Sequence, residues 1–273
     1  MLITLVVANQ KGGVGKTTTA LNLAASLSAA SRKVLLIDLD SQGNSTTGTG
    51  EERDKSEHSL IDVMVSSEYS LERIIEPTKY KFDLIPASAD LISAEIELSS
   101  LPNPTTILKN KLKDLGEGYD YVVIDCPPSL GMLSVSALRA ASKVLIPLQC
   151  EYYSLEGLAA MNKTIKEIND ATGENIVING ILRTMYDSRI RLSREVSKEL
   201  EEHFSEQLCD TVIPRNVKLA EAPSFGMPAL YYEPDAKGTL AYLVKSLTPA
   251  SCKTKSSIQK LPVNNFESFI KIS

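Results

Sequence analysis

The first thirty residues constrain this chain more than any other segment. Leu2–Ala8 is a short apolar run typical of a buried strand, and Lys16–Ala30 carries apolar residues at helical spacing. The loop between them is Asn9–Gly15. Together with the start of the helix it contains the segment Lys11, Gly12, Gly13, Val14, Gly15, Lys16, Thr17 and Thr18. Because a glycine-rich turn at a strand–helix junction is typical of phosphate binding, the sequence predicts an α/β protein built around such a loop.

The residue types in this loop suit a triphosphate and its metal. Glycine at positions 12, 13 and 15 lets backbone N–H groups converge on phosphate oxygens, since no Cβ obstructs them. The helix N-terminus adds the positive end of its dipole, and Lys16 supplies a charge for the β- and γ-phosphates. The Thr17 hydroxyl suits a Mg²⁺ ligand. The loop departs from the standard pattern in having Gln10 in place of glycine and in containing a second lysine, Lys11.

Two further apolar runs end in carboxylates. Val34–Leu39 is predicted as a strand that contains Asp38, and Asp40 follows it directly. Tyr121–Asp125 is predicted as a strand that ends in a carboxylate. Ligands bind at the carboxyl edge of open α/β sheets, so these side chains should lie near the loop. We expect Asp38 and Asp125 to hold Mg²⁺ directly or through water, and Asp40 to orient or deprotonate the attacking water.

The remaining apolar runs alternate with helical patterns. This order favours right-handed βαβ crossovers and an α/β fold with a doubly wound, mostly parallel sheet and helices on both faces. Further strands are predicted at Phe82–Pro86, Val144–Leu148, Ile176–Leu182 and Thr211–Ile213, and further helices at Ser134–Ala141, Leu155–Asn169, Arg191–Phe204 and Thr239–Leu247. The polar stretch Thr46–Glu57 is predicted as a loop. We expect one phosphate-loop domain over residues 1–247 and a C-terminal tail over residues 248–273.

Composition excludes several classes of protein. A net charge of −5 over 273 residues excludes a strongly basic nucleic-acid binder as a description of the whole molecule, although a local basic patch remains compatible with it. The four cysteines have long, irregular spacings, which argues against a zinc site or an iron–sulfur cluster. The apolar N-terminus lacks the basic region of a signal peptide and is too short to span a membrane, so we expect a cytoplasmic protein.

Several motifs resemble those of one family, in the same order. Residues 11–18 resemble the deviant Walker A loop of the ParA/MinD family of ATPases. Asp38–Asn44 is similar to the D-x-D-P-Q-G-N segment of the ParA/Soj partition proteins, with Ser41 in place of the proline. Asp125–Pro128 resembles their D-x-P-P segment, and Ile213–Val217 and Glu221–Ser224 resemble their I-P-R-N and E-A-P-S segments. The resemblance spans roughly residues 1–247 of the chain.

The resemblance implies a nucleotide-driven cycle. Mg·ATP would bind to the loop, and Lys11 would reach across a dimer interface to the partner's nucleotide. Lys16 and Asp40 would act in the hydrolysis of ATP to ADP and phosphate. Pro214 and Asn216 would contact the adenine, although the residues alone favour a structural turn there. The ATP-bound homodimer would bind DNA non-specifically on the nucleoid, and a ParB-like centromere-binding protein would stimulate hydrolysis and release.

A DNA-binding surface is predicted on the helix after Arg189. Residues 183–218 hold seven basic and seven acidic side chains, so position decides more than net charge. Arg191, Arg194 and Lys198 fall on one stripe of this helix, and Arg189, Arg215 and Lys218 could join it. The alternative is a solvated face with ion pairs four residues apart, such as Arg191 with Glu195.

Three other functions use related loops. A MinD-like ATPase that cycles on membranes would need a basic amphipathic helix at the C-terminus, which Pro262 interrupts here, so we expect no stable membrane association. An iron–sulfur reductase or scaffold is opposed by the cysteine spacing. A metabolic ATP-dependent ligase would need substrate-binding residues that the sequence does not reveal.

Overall fold

A computed structural model describes residues 2–53 and 57–246. Within them the backbone forms one mixed eight-stranded sheet. Its strands are β1 Ile3–Val7, β2 Val34–Asp38, β3 Glu76–Pro77, β4 Asp83–Ile85, β5 Tyr121–Asp125, β6 Lys143–Gln149, β7 Ile178–Tyr186 and β8 Leu208–Pro214. The strand order is β3-β4-β2-β5-β1-β6-β7-β8, and all neighbours are parallel except the β3–β4 pair.

Helices cover both faces of this sheet. They are α1 Lys16–Ala29, α2 Asn44–Gly48, α3 Leu60–Val65, α4 Ala94–Ser99, α5 Ile107–Asp114, α6 Met132–Ala140, α7 Ser154–Thr172, α8 Arg191–His203, α9 Val217–Glu221, α10 Ala229–Tyr232 and α11 Lys237–Ser246. One face of the sheet packs on α1 and α9–α11, and the other face packs on α3–α8. The doubly wound α/β fold predicted from the alternating runs is confirmed.

Strand register brings the predicted functional segments to one edge. Asp125 is the register partner of Val7 on one side and of Asp38 on the other, so three neighbouring strands end at the same level. Leu36 and Val123 lie two residues before the carboxylates and pack in the cluster that includes α1 residues. Because side chains alternate along a strand, Asp38 and Asp125 face the start of α1, where the phosphate loop ends.

The prediction was wrong or incomplete in several places, and helices α3, α4, α5, α9 and α10 were not predicted. The predicted loop at Thr46–Glu57 overlaps α2, whose start follows Gly43 with its left-handed φ of 63°. The two-residue β3 was not predicted, because so short an antiparallel edge carries no periodicity. Strand β8 begins three residues before its predicted start because Leu208 and Cys209 are buried with it. The predicted tail, 248–273, lies outside the described residues.

The last described helix packs on the helix that follows the phosphate loop. Tyr242 of α11 is buried, and its hydroxyl forms a 3.0 Å hydrogen bond with the Thr19 hydroxyl of α1. Leu23 of α1 and Tyr242 belong to the same apolar cluster. The hydrogen bond therefore ties α11 to the helix whose N-terminus faces the site.

We expect Tyr242→Phe and Thr19→Val each to lower the free energy of unfolding by about 1 kcal/mol, because each leaves a buried hydroxyl without its partner. The double variant should lose clearly less than the two single losses combined, since no unpaired hydroxyl remains. Urea denaturation monitored by circular dichroism measures all four proteins. Strictly additive losses would show that the two hydroxyls do not depend on each other.

Candidate nucleotide-binding site

Side-chain hydrogen bonds fasten the phosphate loop to the neighbouring strands. Gly15 has a left-handed φ of 87° at the start of α1, a conformation that favours glycine. Asn9 donates its amide to the Pro147 carbonyl at 2.8 Å and accepts from the Lys11 N–H at 3.0 Å. This side chain therefore fastens the start of the loop to β6.

Two residues missed in the sequence analysis fasten the rest of the loop. The Thr184 hydroxyl donates to the Val14 carbonyl at 2.8 Å, and the Gln149 amide donates to the Gly13 carbonyl at 3.1 Å. These bonds occupy loop carbonyls from the side of β6 and β7, and so fix the orientation of the peptide groups. The signal available in sequence was a polar residue in or at the end of an apolar strand.

The two lysines of the loop have different surroundings. Lys16 is buried, and its Nζ lies 3.3 Å from the Lys11 carbonyl across the loop. Burial lowers the Lys16 pKa, and the charges of Asp125 and Asp40 oppose that shift. Lys11 instead extends to Glu151 with a 2.7 Å ion pair, and its side chain is 36% exposed. One lysine thus faces into the loop, and the other faces away from it.

Asp125 is the carboxylate best placed for a metal. It is fully buried, and its Oδ2 accepts a 2.8 Å hydrogen bond from the Ser45 hydroxyl. Its other oxygen, Oδ1, has no hydrogen-bond partner, and the Thr17 hydroxyl is near enough to lower the pKa of the carboxyl group. A buried, unpartnered carboxylate oxygen beside a hydroxyl at a helix start is a donor set suited to Mg²⁺. Thr17 and Asp125 therefore fit the predicted magnesium site.

Asp38 organises the next loop instead of presenting a vacant oxygen. Its Oδ2 accepts from both the N–H and the hydroxyl of Thr46 at 2.8 Å, and its Oδ1 accepts from the Asp40 N–H at 3.2 Å. Burial is the main cause that raises the pKa of Asp38, with a smaller contribution from Asp40. A part for Asp38 in holding magnesium would therefore run through water, and it stays a prediction.

Asp40 lies at the head of the turn that follows β2. It is buried, and its Oδ1 accepts from the Gln42 N–H at 3.0 Å while its carbonyl accepts from the Gly43 N–H at 2.8 Å. Its charge raises the Lys16 pKa, which places it close to the loop lysine. A hydrolytic role would require the other Asp40 oxygen to bind the attacking water, and it stays a prediction.

The segment predicted to contact adenine forms a helix start. Pro214 ends β8, and Asn216 caps α9 by accepting from the Lys218 N–H at 2.8 Å. This cap supports the structural interpretation of Asn216 that the residues alone favoured. Contact with adenine stays a prediction for both residues.

Most of the predicted DNA-binding residues are exposed, and four of them bond neighbouring groups. Arg189 binds Asp187, Arg191 binds Glu195 at 2.7 Å, and Lys218 binds Glu221 at 3.0 Å. The Arg194 guanidinium donates to the Ser188 and Arg189 carbonyls. Hydrogen bonds from Arg189 and the nearby charge of Arg215 lower the pKa of Asp187 to about 2. The i,i+4 ion pairs given as the alternative therefore form on α8.

The buried carboxylates make stability depend on pH. Burial raises the pKa of Asp125, and the neighbouring Asp38 raises it further, so the folded state holds a proton that the unfolded chain releases near pH 4. The stability that this proton confers is fully present below the pKa of the unfolded chain. It is lost as pH rises through the higher pKa of the folded protein, because ionisation then leaves a buried charge.

Without nucleotide and magnesium, we expect Asp125→Asn to be more stable than the wild type at pH 8, because it removes a buried charge and keeps an acceptor for Ser45. The difference should shrink as pH falls to 5. Thermal unfolding at both pH values measures it, with Asp170→Asn on the exposed face of α7 as the control. The same difference at both pH values would exclude Asp125 as its cause.

Comparison with known proteins gives a consistent family. A family model described as an AAA domain matches residues 3–178. The chromosome partitioning protein ParA of Myxococcus xanthus is 43% identical over 88% of this chain and 84% of its own length. The sporulation initiation inhibitor protein Soj of Bacillus subtilis is 43% identical over 88% of this chain and 94% of its own length.

A solved structure extends the likeness to a bound nucleotide. Cobyrinic acid a,c-diamide synthase from Mycobacterium smegmatis, crystallised with an ATP analogue and magnesium, has a TM-score of 0.78 and 34% identity over 90% of this chain and 93% of its own. The glycine-rich loop and the buried carboxylate beside it indicate a nucleotide-binding site, and the comparison with these relatives leads to the same conclusion. The chain belongs to the ParA/Soj family of P-loop ATPases, with ATP and magnesium as its cofactors.

Proposed function

We propose that this protein is a DNA-partitioning ATPase whose ATP-bound form is a homodimer. The observation that carries the proposal is that the side chains of the two loop lysines point in different directions. Lys16 is buried over the site's own carboxylates, whereas Lys11 is part-exposed and points to Glu151 at the mouth of the loop. A lysine that leaves its own phosphate loop can reach the nucleotide of a second copy. ATP would then neutralise charge from both protomers and hold them together.

Hydrolysis follows from electrostatic positioning. Thr17 and Asp125 would hold Mg²⁺, and the ion would neutralise charge that develops on the phosphates. Lys16 stabilises the same charge from inside the loop, and Asp40 orients the attacking water from the neighbouring strand end. Asp38 acts one step away, because its bonds to Thr46 and Asp40 shape the turn that presents Asp40.

The DNA-binding surface combines Arg189, Arg191, Arg194, Arg215 and Lys218. The ion pairs of Arg189, Arg191 and Lys218 do not oppose DNA binding strongly, because exposed pairs contribute at most about 1 kcal/mol and salt screens them. A phosphate can replace the carboxylate of such a pair. Dimerisation would double the number of arginines that face one duplex, so a modest charge on each protomer is sufficient.

The partner that triggers hydrolysis is a ParB-like centromere-binding protein, a proposal supported by the likeness to a chromosome partitioning protein. We place the ATP-bound dimer on the nucleoid in the cytoplasm. No helix in the described part of the chain is both long and apolar enough to cross a bilayer. The segment that would bind a membrane surface in a membrane-cycling ATPase lies outside the described residues.

Nucleotide state should control DNA binding. In a gel-shift assay with magnesium, we expect wild type to bind DNA with ATP and to bind at least about tenfold more weakly with ADP or no nucleotide. Lys16→Ala should fail to dimerise or bind DNA with ATP, because the loop loses its internal charge. Asp40→Ala should dimerise and stay DNA-bound, because hydrolysis stalls. Equal binding in all nucleotide states would contradict a nucleotide switch.

The position of the basic residues should matter more than net charge. We expect Arg189→Glu combined with Arg215→Glu to lower DNA affinity at least about tenfold at low salt, with ATP affinity unchanged. Arg32→Glu combined with Lys33→Glu is the matched control, since it makes the same change in charge at exposed residues on the opposite sheet edge. Fluorescence anisotropy measures both. An equal loss in the control would assign DNA binding to overall charge.

A further inference from the structure

We propose that Arg53 is a positioning residue for ATP hydrolysis, which clamps the turn that carries Asp40. The inference rests on the proposed role of Asp40 in orienting water. Arg53 lies beyond α2 in sequence, yet its guanidinium Nη1 donates to two consecutive carbonyls of the turn after β2. None of the motifs that identified the family includes this arginine.

The clamp acts on peptide groups directly next to Asp40. Nη1 of Arg53 lies 3.0 Å from the Ser41 carbonyl and 3.1 Å from the Gln42 carbonyl. The Gln42 N–H, in the peptide group of the Ser41 carbonyl, donates to the Asp40 carboxylate at 3.0 Å. Arg53 therefore polarises and orients the same peptide group that holds the Asp40 side chain.

Gly43 permits the close approach of Arg53. It has a left-handed φ of 63°, and a Cβ at this position would collide with the aliphatic part of the Arg53 side chain. The arginine thus lies across the turn, with its stem against Gly43 and its charged end on the preceding carbonyls. The glycine at position 43 therefore leaves the space that the Arg53 side chain occupies.

The substitution at position 41 explains why a clamp is needed. The resembling family segment has proline there, which would fix its own φ and restrict Asp40 to extended conformations. Ser41 leaves both residues with more conformational freedom, and hence with a higher entropic cost of holding one geometry. Arg53 restores the restriction through two charge-assisted hydrogen bonds from outside the turn.

A clamp on the turn has a different kinetic effect from a contact with nucleotide. The Nη1 of Arg53 is committed to backbone carbonyls, and the residue is exposed at the outside of the turn. Loss of the clamp should therefore reduce kcat, because Asp40 spends less time in the productive position, and should leave the KM for ATP unchanged. An arginine that bound the phosphates would change the KM as well.

The test compares Arg53→Ala, Arg53→Lys, Ser41→Pro and the double variant Ser41→Pro/Arg53→Ala in the full chain. We expect Arg53→Ala to lower kcat about fivefold with KM within about twofold of wild type, the loss expected for a net hydrogen bond. Arg53→Lys should recover part of the loss. In the Ser41→Pro background, Arg53→Ala should change kcat less than about twofold, because proline already restricts the turn. Arg32→Ala is the control, because Arg32 is exposed just before the amino end of β2, at the end of the sheet opposite the turn.

Hydrogen–deuterium exchange of the peptide covering residues 40–44 gives a readout independent of activity. We expect faster exchange in Arg53→Ala than in wild type, and the same exchange in the double variant as in Ser41→Pro, since both lack the amide hydrogen at position 41. Unchanged exchange or an unchanged kcat in Arg53→Ala would overturn the proposal, as would a KM for ATP raised by more than about twofold. If Asp40→Ala hydrolyses ATP normally, the role of Asp40 fails, and exchange still reports whether Arg53 holds the turn.

Discussion

The site depends on negative charge that the fold buries at the ends of two adjacent strands. Asp38 and Asp125 are register partners, and both are fully buried. Taking such groups out of water costs several kcal/mol unless protons, hydrogen bonds or cations compensate it. Asp38 is compensated by hydrogen bonds from the chain, and Asp125 retains an unpartnered oxygen. We therefore propose that magnesium compensates the buried charge at Asp125.

The phosphate loop meets this charge from the opposite side. Lys16 lies buried near Asp125 and Asp40, and its burial alone would favour the neutral amine. A triphosphate with magnesium adds both signs of charge to this small volume, so the lysine and the carboxylates are each stabilised in their charged forms. The strand ends and the loop thus form one electrostatic assembly, whose parts are costly when the nucleotide is absent. Such an assembly can couple nucleotide binding to a change in association.

Sequence predicted the parts of the site that depend on local chemistry. A motif or a strand ending in a carboxylate marks the loop, Asp40 and Asp125 in the sequence, and their functional roles stay predictions. Asn9, Gln149 and Thr184 were missed, because their bonds to loop and strand carbonyls join residues more than a hundred positions apart. The hydrogen bonds of Asp38 to Thr46 were missed for a related reason: the polar, glycine-containing stretch from Thr46 was predicted as loop, although α2 extends to Gly48. Tertiary contacts with Asp38 fix that turn.

Magnesium and ATP should each strengthen the binding of the other at this site. The reason is that the positive charge of magnesium compensates the negative charge of both the triphosphate and the buried carboxylate. Isothermal titration calorimetry of ATP into the protein, with and without Mg²⁺, measures this dependence most directly. We predict that magnesium raises the affinity for ATP at least about tenfold, and that Asp125→Asn removes most of this dependence. Equal ATP affinity with and without magnesium in the wild type would contradict joint binding.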